Sequence, residues 1–193
     1  MSAQLADQLA RLAVTVICEP DEQGQFLTRE LQRTRARVTH LWPMPERIGQ
    51  NTDIVLCEFS PDLGRRLAWM PGEPTAALIV LLPQSGGFDM DRVTAVAADA
   101  VLHRPYRPDT VISALGVALD HFSYGKRQRN RIARLEENIR SLRHIERAKL
   151  VIMADRKVSE HDAFNVLRSL AMKRRVTIAA LSESMVDSDD NAN

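Results

Sequence analysis

All nine prolines of this 193-residue chain fall before residue 109, and from Val111 onward the only glycines are Gly116 and Gly125. Proline interrupts helices and central strands. The chain therefore divides into a first part built of short elements and a second part free to run as long helix. In the first part, apolar runs alternate with helical spacings. Val14, Val16 and Ile17 lead to Cys18 and stop at Glu19, Pro20 and Asp21, a strand followed by a loop. Phe26, Leu27 and Leu31 give a helix within 22–35. Val38 to Leu41 is a second strand, and Ile54, Val55 and Leu56 a third. Leu63, Leu67 and Trp69 suit a short helix. Ala77 to Leu82 is the most hydrophobic run and reads as a central strand. Val93 to Ala98 suits a helix, and Ala100 to Leu102 a fifth strand. Continuous apolar strands separated by helices predict a parallel sheet covered on both faces. Five of them in this length suit the flavodoxin-like, doubly wound order 2-1-3-4-5.

Pro108 and Asp109 mark a helix start. Farther on, Ile132, Leu135, Ile139 and Leu142 follow the 3-4-3 spacing of a coiled-coil seam. The same frame upstream meets Gln128, Gly125 and His121, so the seam is short. Either a second copy of the chain or the chain's own first domain covers the stripe. Residues 143 to 186 read as three short helices. Ile145, Ala148, Ile152 and Met153 share one face. Ser159 with Asp162 three residues later is a capping box. Ala163, Leu167 and Leu170-Ala171 continue the apolar stripe, and Ile178, Leu181 and Met185 line the last helix. Such helices close a small core together, though none is stable alone. The expected fold is α/β plus all-α: a degenerate receiver-like domain at 1–119, a coiled-coil linker helix at 120–143, a three-helix bundle at 144–186 and an acidic tail at 187–193.

Charge is unevenly placed. Residues 1–123 hold 11 Lys and Arg against 15 Asp and Glu, residues 124–176 hold 15 against six, and residues 177–193 hold four acids and no base. A balance of +9 in the middle segment predicts a polyanionic partner. Only Lys126, Lys149, Lys157 and Lys173 are lysine, and arginine's planar fork suits phosphates and base edges. A well-solvated helix face is the plainer reading of many of these charges. A composition 45% hydrophobic and 26% charged excludes wholesale disorder. No apolar run reaches the ~18 residues of a membrane span, and no basic-then-apolar leader opens the chain. The expectation is a cytoplasmic protein without a membrane partner. Cys18 and Cys57 are too few for a metal cage or disulfide scaffold. They fall on neighbouring strands, and burial as small hydrophobes is the default over a redox contact. His40 and His103 are expected to pack at the core or sheet edge. No nucleophile–base pair, metal-ligand cluster or glycine-rich phosphate loop occurs. The expectation is a non-enzyme without catalytic residues, metal or cofactor.

At the carboxyl ends of the strands, where doubly wound sheets place function, stand Cys18-Glu19, Glu58, Leu82-Pro83 and Arg104-Pro105. In outline these resemble the receiver domain of two-component response regulators. That resemblance implies an acid pair, a phosphorylated aspartate, a Thr or Ser, and Lys-Pro at the same places. The departures matter chemically. Mg²⁺ needs clustered oxygen ligands, and Cys18 is a poor one. Glu58 is a methylene longer than aspartate, and Leu82 donates no hydrogen bond. Glu19, Glu58 and Arg104 thus form a degenerate phosphoacceptor site, with Glu58 a constitutive negative charge beside Arg104.

The last third closely resembles the ANTAR module of transcription antitermination regulators. The matching residues are Ile145-Glu146-Arg147-Ala148-Lys149, Met153, Ser159-Glu160, Ala163-Phe164, Leu167-Arg168 and Ala171-Met172, followed by Lys173-Arg174-Arg175, with Ala179 and Leu181 in the closing helix. Leu150 departs, standing where many members have glycine. The order of parts, and the Leu41-Trp42-Pro43-Met44-Pro45 stretch, resemble the amidase-operon branch of that family. The resemblance implies binding of leader mRNA stem-loops with exposed six-nucleotide loops, so that a competing terminator does not form. It also implies restraint by a ligand-sensing regulatory protein resembling a periplasmic amide-binding protein; the coiled-coil seam adds the expectation of a homodimer. Splayed loop bases are read by Arg, amide and stacking groups, and phosphate contacts position the protein. The expected RNA-binding residues are Arg147, Lys149, Arg168, Met172, Lys173, Arg174 and Arg175, with Arg156 and Lys157 near the backbone. Ala148, Ala163, Phe164, Leu167 and Ala171 are expected in the core. Cations at a helix C-terminus also favour its dipole, an alternative account of Lys173 to Arg175. Two other functions remain open: a phosphorylation-controlled response regulator with RNA output, and a protein-interaction scaffold.

Overall fold

The computed structural model describes residues 7–49, 51–70, 72–84 and 87–190, with the side chains of 187–190 undescribed. The chain divides into two compact units, 1–126 and 127–193.

The first unit is a five-stranded parallel sheet in the order β2-β1-β3-β4-β5, as the sequence predicts. Its strands are β1 (Ala13–Ile17), β2 (Arg37–Leu41), β3 (Ile54–Glu58), β4 (Ala77–Leu82) and β5 (Ala100–His103). Period-two alternation sends β1 side chains to both faces. Val14, Val16 and Cys18 join Leu27 and Leu31 of α1 (Glu22–Arg33) and Val111, Leu115 and Ala118 of α4 (Pro108–Arg156). Ile17, Val55 and Cys57 face the other way, toward Leu63 of α2 (Leu63–Arg66) and Val93 of α3 (Met90–Ala95). β4 is apolar throughout, and β3 is apolar up to its last residue, Glu58, because both faces of these strands are covered. In register, Ile17 lies beside Cys57 and Leu41, Cys57 beside Val80, and Leu82 beside His103.

Both cysteines are free and buried. Burial, with Glu58 adding to it, pushes each thiol up to about 12. His40 Nε2 sits 2.9 Å from the Cys18 carbonyl, and the His103 ring meets Phe88 edge-on. Both histidines therefore pack as expected. His121 differs from its expected seam position. Its Nδ1 lies 2.7 Å from Oδ1 of Asp99, whose other oxygen accepts the Leu78 amide at 2.9 Å. At this point α4 faces its own sheet, so no coiled-coil seam begins here.

In the second unit, the end of α4 packs with α5 (Glu160–Arg174) and α6 (Ile178–Asp190). The core consists of Ala148, Ile152, Ala163, Leu167, Ala171 and Leu181. Ser159 caps α5, its hydroxyl accepting the Asp162 amide at 3.2 Å and donating to the Asp162 carboxylate at 2.6 Å. The chain leaves α5 through Arg175 in the left-handed region, with φ 57° and ψ 37°. The expected tail at 187–193 is helical as far as Asp190, and its last three residues lie outside the described ones. Leu150 is exposed, so its bulk does not enter the bundle core.

Candidate nucleic-acid interface

The carboxyl end of the sheet holds an internal ion cluster. Arg104 follows β5, where its side chain is 17% exposed. One guanidinium nitrogen donates to Glu58 Oε1 at 2.7 Å, and the other to Asp21 Oδ2. The guanidinium lies 5.5 Å above the Tyr106 ring. Burial disfavours charge on Asp21, but the Arg104 bond and the Gly24 amide outweigh it and hold the carboxyl below the usual range. Gly24 is required at this turn, because a Cβ there would meet the Glu19 carbonyl at 2.2 Å. Gln23 Oε1 accepts the Tyr106 amide at 2.7 Å, tying α1 to the segment after β5.

The expected trio of Glu19, Glu58 and Arg104 is thus corrected at one position. Glu19 is exposed, and Asp21, two residues on, takes its place. Asp21 points inward because it also caps α1, accepting the Gly24 amide at 2.7 Å. The signal was the Pro-Asp pair just before a helical run, which marks an N-cap. The cation that sits between the two carboxylates is protein-borne. Among the described residues, no cluster of three or more His, Cys, Asp or Glu side chains could hold a metal ion.

On the helix between the sheet and the bundle, Ile132, Leu135, Ile139 and Leu142 are 51–60% exposed. In the single chain this apolar stripe is uncovered. Arg140 and Glu137 pair beside it at 3.1 Å.

In the bundle, the expected contact residues separate into two groups. Arg147, Arg168, Met172, Lys173, Arg174 and Arg175 are exposed. Among the described side chains, Arg168, Lys173, Arg174 and Arg175 meet no carboxylate. Lys149 differs. Its side chain is only 9% exposed, and Nζ lies 2.8 Å from Glu146 and 2.6 Å from Glu160. Hydrogen bonds to those two carboxylates raise its ionisation above the usual lysine range. Lys149 clamps α4 to the start of α5 with two acids already on its ammonium, unlike Arg168, Lys173, Arg174 and Arg175. Phe164 is the second correction. It was expected in the core but is 37% exposed, one position past buried Ala163. Helical spacing places Phe164, Arg168 and Met172 on successive turns of one face.

A family model described as AmiR, N-terminal, matches residues 12–119, and one described as the ANTAR domain matches 133–186. The aliphatic amidase regulator of Pseudomonas aeruginosa is 24% identical over 198 residues, spanning the whole of both chains. The transcriptional regulatory protein PdtaR of Mycobacterium tuberculosis is 27% identical over 112 residues, 58% of this chain and 55% of that protein. Among solved structures, the response regulator StyR aligns with a TM-score of 0.51 at 11% identity, over 90% of this chain and all of that one. At that identity the likeness concerns the fold alone.

Proposed function

The chain belongs to the AmiR family, joining an AmiR N-terminal domain to an ANTAR domain, and from that premise we propose that it is a homodimeric, RNA-binding transcription antiterminator. Two copies join along Ile132, Leu135, Ile139 and Leu142, and each presents its bundle to a stem-loop of nascent leader mRNA. Binding holds the hairpins against a competing terminator. The observation that carries this reading is the exposed cluster of Arg168, Lys173, Arg174 and Arg175, which no described carboxylate neutralises. Backbone phosphates are the matching charge. Restraint comes from a partner that senses a small amide or related nitrogen compound and covers the RNA-binding face or the coil. The full-length match to the aliphatic amidase regulator supports that assignment. Arg104 between Asp21 and Glu58 favours control by a partner over control by phosphorylation, because a guanidinium already balances the two acids.

The test is affinity for a labelled RNA with two stem-loops across a salt series. Binding should prefer loops to blunt duplex and should weaken with a log–log slope of roughly −0.7 per phosphate contact. Arg174→Ala should flatten that slope, whereas Lys149→Gln should leave it unchanged. A slope near zero, or equal affinity for duplex, would favour the scaffold reading.

A further inference from the structure

From Ala163 to Thr177 the chain contains no acidic residue. Along this stretch α5 buries Ala163, Leu167 and Ala171 and turns Phe164, Arg168 and Met172 outward. An exposed phenylalanine or methionine alone is ordinary. Here a half-exposed ring, a guanidinium and a 70% exposed thioether follow one another at about 6 Å along one helix face. Lys173, Arg174 and Arg175 close the row. Arg175 holds the left-handed conformation usually left to glycine, at the C-cap of α5.

We propose that the Phe164–Arg168–Met172 ridge is the base-reading surface of the protein: an unstacked loop base lies on the Phe164 ring, Arg168 and Met172 hold its neighbour, and Lys173 to Arg175 take the phosphates. This inference rests on the proposed RNA-binding function and assigns its parts. The chemistry fits a single-stranded RNA loop for two reasons. Flat apolar rings beside guanidinium groups are what splayed bases stack on. The unopposed positive charge of the ridge complements a polyanion and would repel a second copy of the same ridge. A duplex, whose bases are already stacked, offers the ring nothing. Affinity for loops and affinity for phosphate therefore separate onto different residues.

The experiment uses the full-length chain and a pool of labelled two-hairpin RNAs whose six-nucleotide loops are randomised, with a blunt duplex of the same stem as control. Phe164→Leu keeps an apolar side chain and removes the ring. It is expected to weaken hairpin binding about tenfold or more, with the salt slope unchanged. Phe164→Tyr, which keeps the ring, should bind as the unaltered chain does. Arg174→Ala should instead lower the slope for hairpin and duplex alike, by roughly 0.7 where the lost phosphate contact is single-stranded and roughly 0.9 where it is duplex. If Phe164→Leu binds hairpins normally while the unaltered chain prefers hairpins to duplex, the base-reading assignment falls and the RNA-binding function stands. If the unaltered chain does not distinguish hairpin from duplex, the proposed function falls and takes the assignment with it. A change in oligomeric mass in Phe164→Leu, with circular dichroism unaltered, would make the ridge a contact between copies and overturn the assignment.

Discussion

Replacing Leu135 and Ile139 by lysine is expected to convert a dimer into a monomer and to lower affinity for a two-hairpin RNA by roughly 100-fold or more. The stripe to which they belong is a little over half exposed in the single chain. Burying a leucine or isoleucine fully is worth about 1.5–3 kcal/mol, so four such residues per copy carry much of a short seam. Only about two heptads follow the pattern, and a coil of that length has little to spare. Lysines at both central positions would put four ammonium groups into the seam. The bundle core at Ala148, Leu167 and Leu181 lies elsewhere and should stay folded. The loss in RNA affinity then follows from valency, because each bundle must find its hairpin separately. Light scattering gives the mass directly. A persistent dimer would move the interface to another exposed apolar surface, such as the groove along β5 and the start of α4 with Val101 and Val117.

The second large effect is expected at Arg104. Arg104→Met keeps most of the volume and removes the cation between Asp21 and Glu58. Removing one partner of a largely buried pair leaves the remaining charges uncompensated. Partial exposure of both carboxylates reduces the penalty, and we expect a loss of about 1–3 kcal/mol in the first unit. That corresponds to a melting temperature lower by roughly 5–10 °C. The pH dependence carries a definite sign. Arg104 holds the Asp21 carboxyl below its ordinary value in the folded state. This contribution is therefore present above about pH 4, the unfolded value, and is lost as the pH falls through the folded one. The difference between the unaltered chain and Arg104→Met should be widest near neutrality and should shrink toward pH 3. A difference independent of pH would assign the loss to packing on Tyr106 instead of charge.

Much of the scaffold was legible in the sequence because the period of its apolar residues is unambiguous. Ala77–Leu82 has no polar interruption, and the five apolar runs lead to the observed strand order. The proline-free second half allowed α4 to run from the sheet into the bundle. The details of the two sites were less accessible. Arg104 and Asp21 stand 83 residues apart, and only the approach of β5 to the end of β1 decides whether Glu19 or Asp21 faces the guanidinium. Composition marks Lys149 as one base among many, yet its burial depends on the angle at which α5 returns against α4. Phe164 has the hydrophobicity of a core residue. It lies about 100° around the helix from Ala163 and about 60° from Leu167 at the centre of the buried stripe, and that offset leaves it half-exposed at the edge of the stripe. Local pattern singled out Arg104, Lys149 and Phe164 but not Asp21, and packing between elements distant in sequence decided the role of all four.

The proposed function is that this chain keeps RNA polymerase reading through a leader. It is tested most directly by single-round transcription of a template whose leader carries hairpins recovered from the randomised pool, overlapping a terminator. With purified full-length protein the fraction of read-through transcripts should rise, and Arg174→Ala or scrambled loops should return it to the protein-free level. Termination unchanged by a folded, dimeric protein that demonstrably binds the same leader would contradict the account.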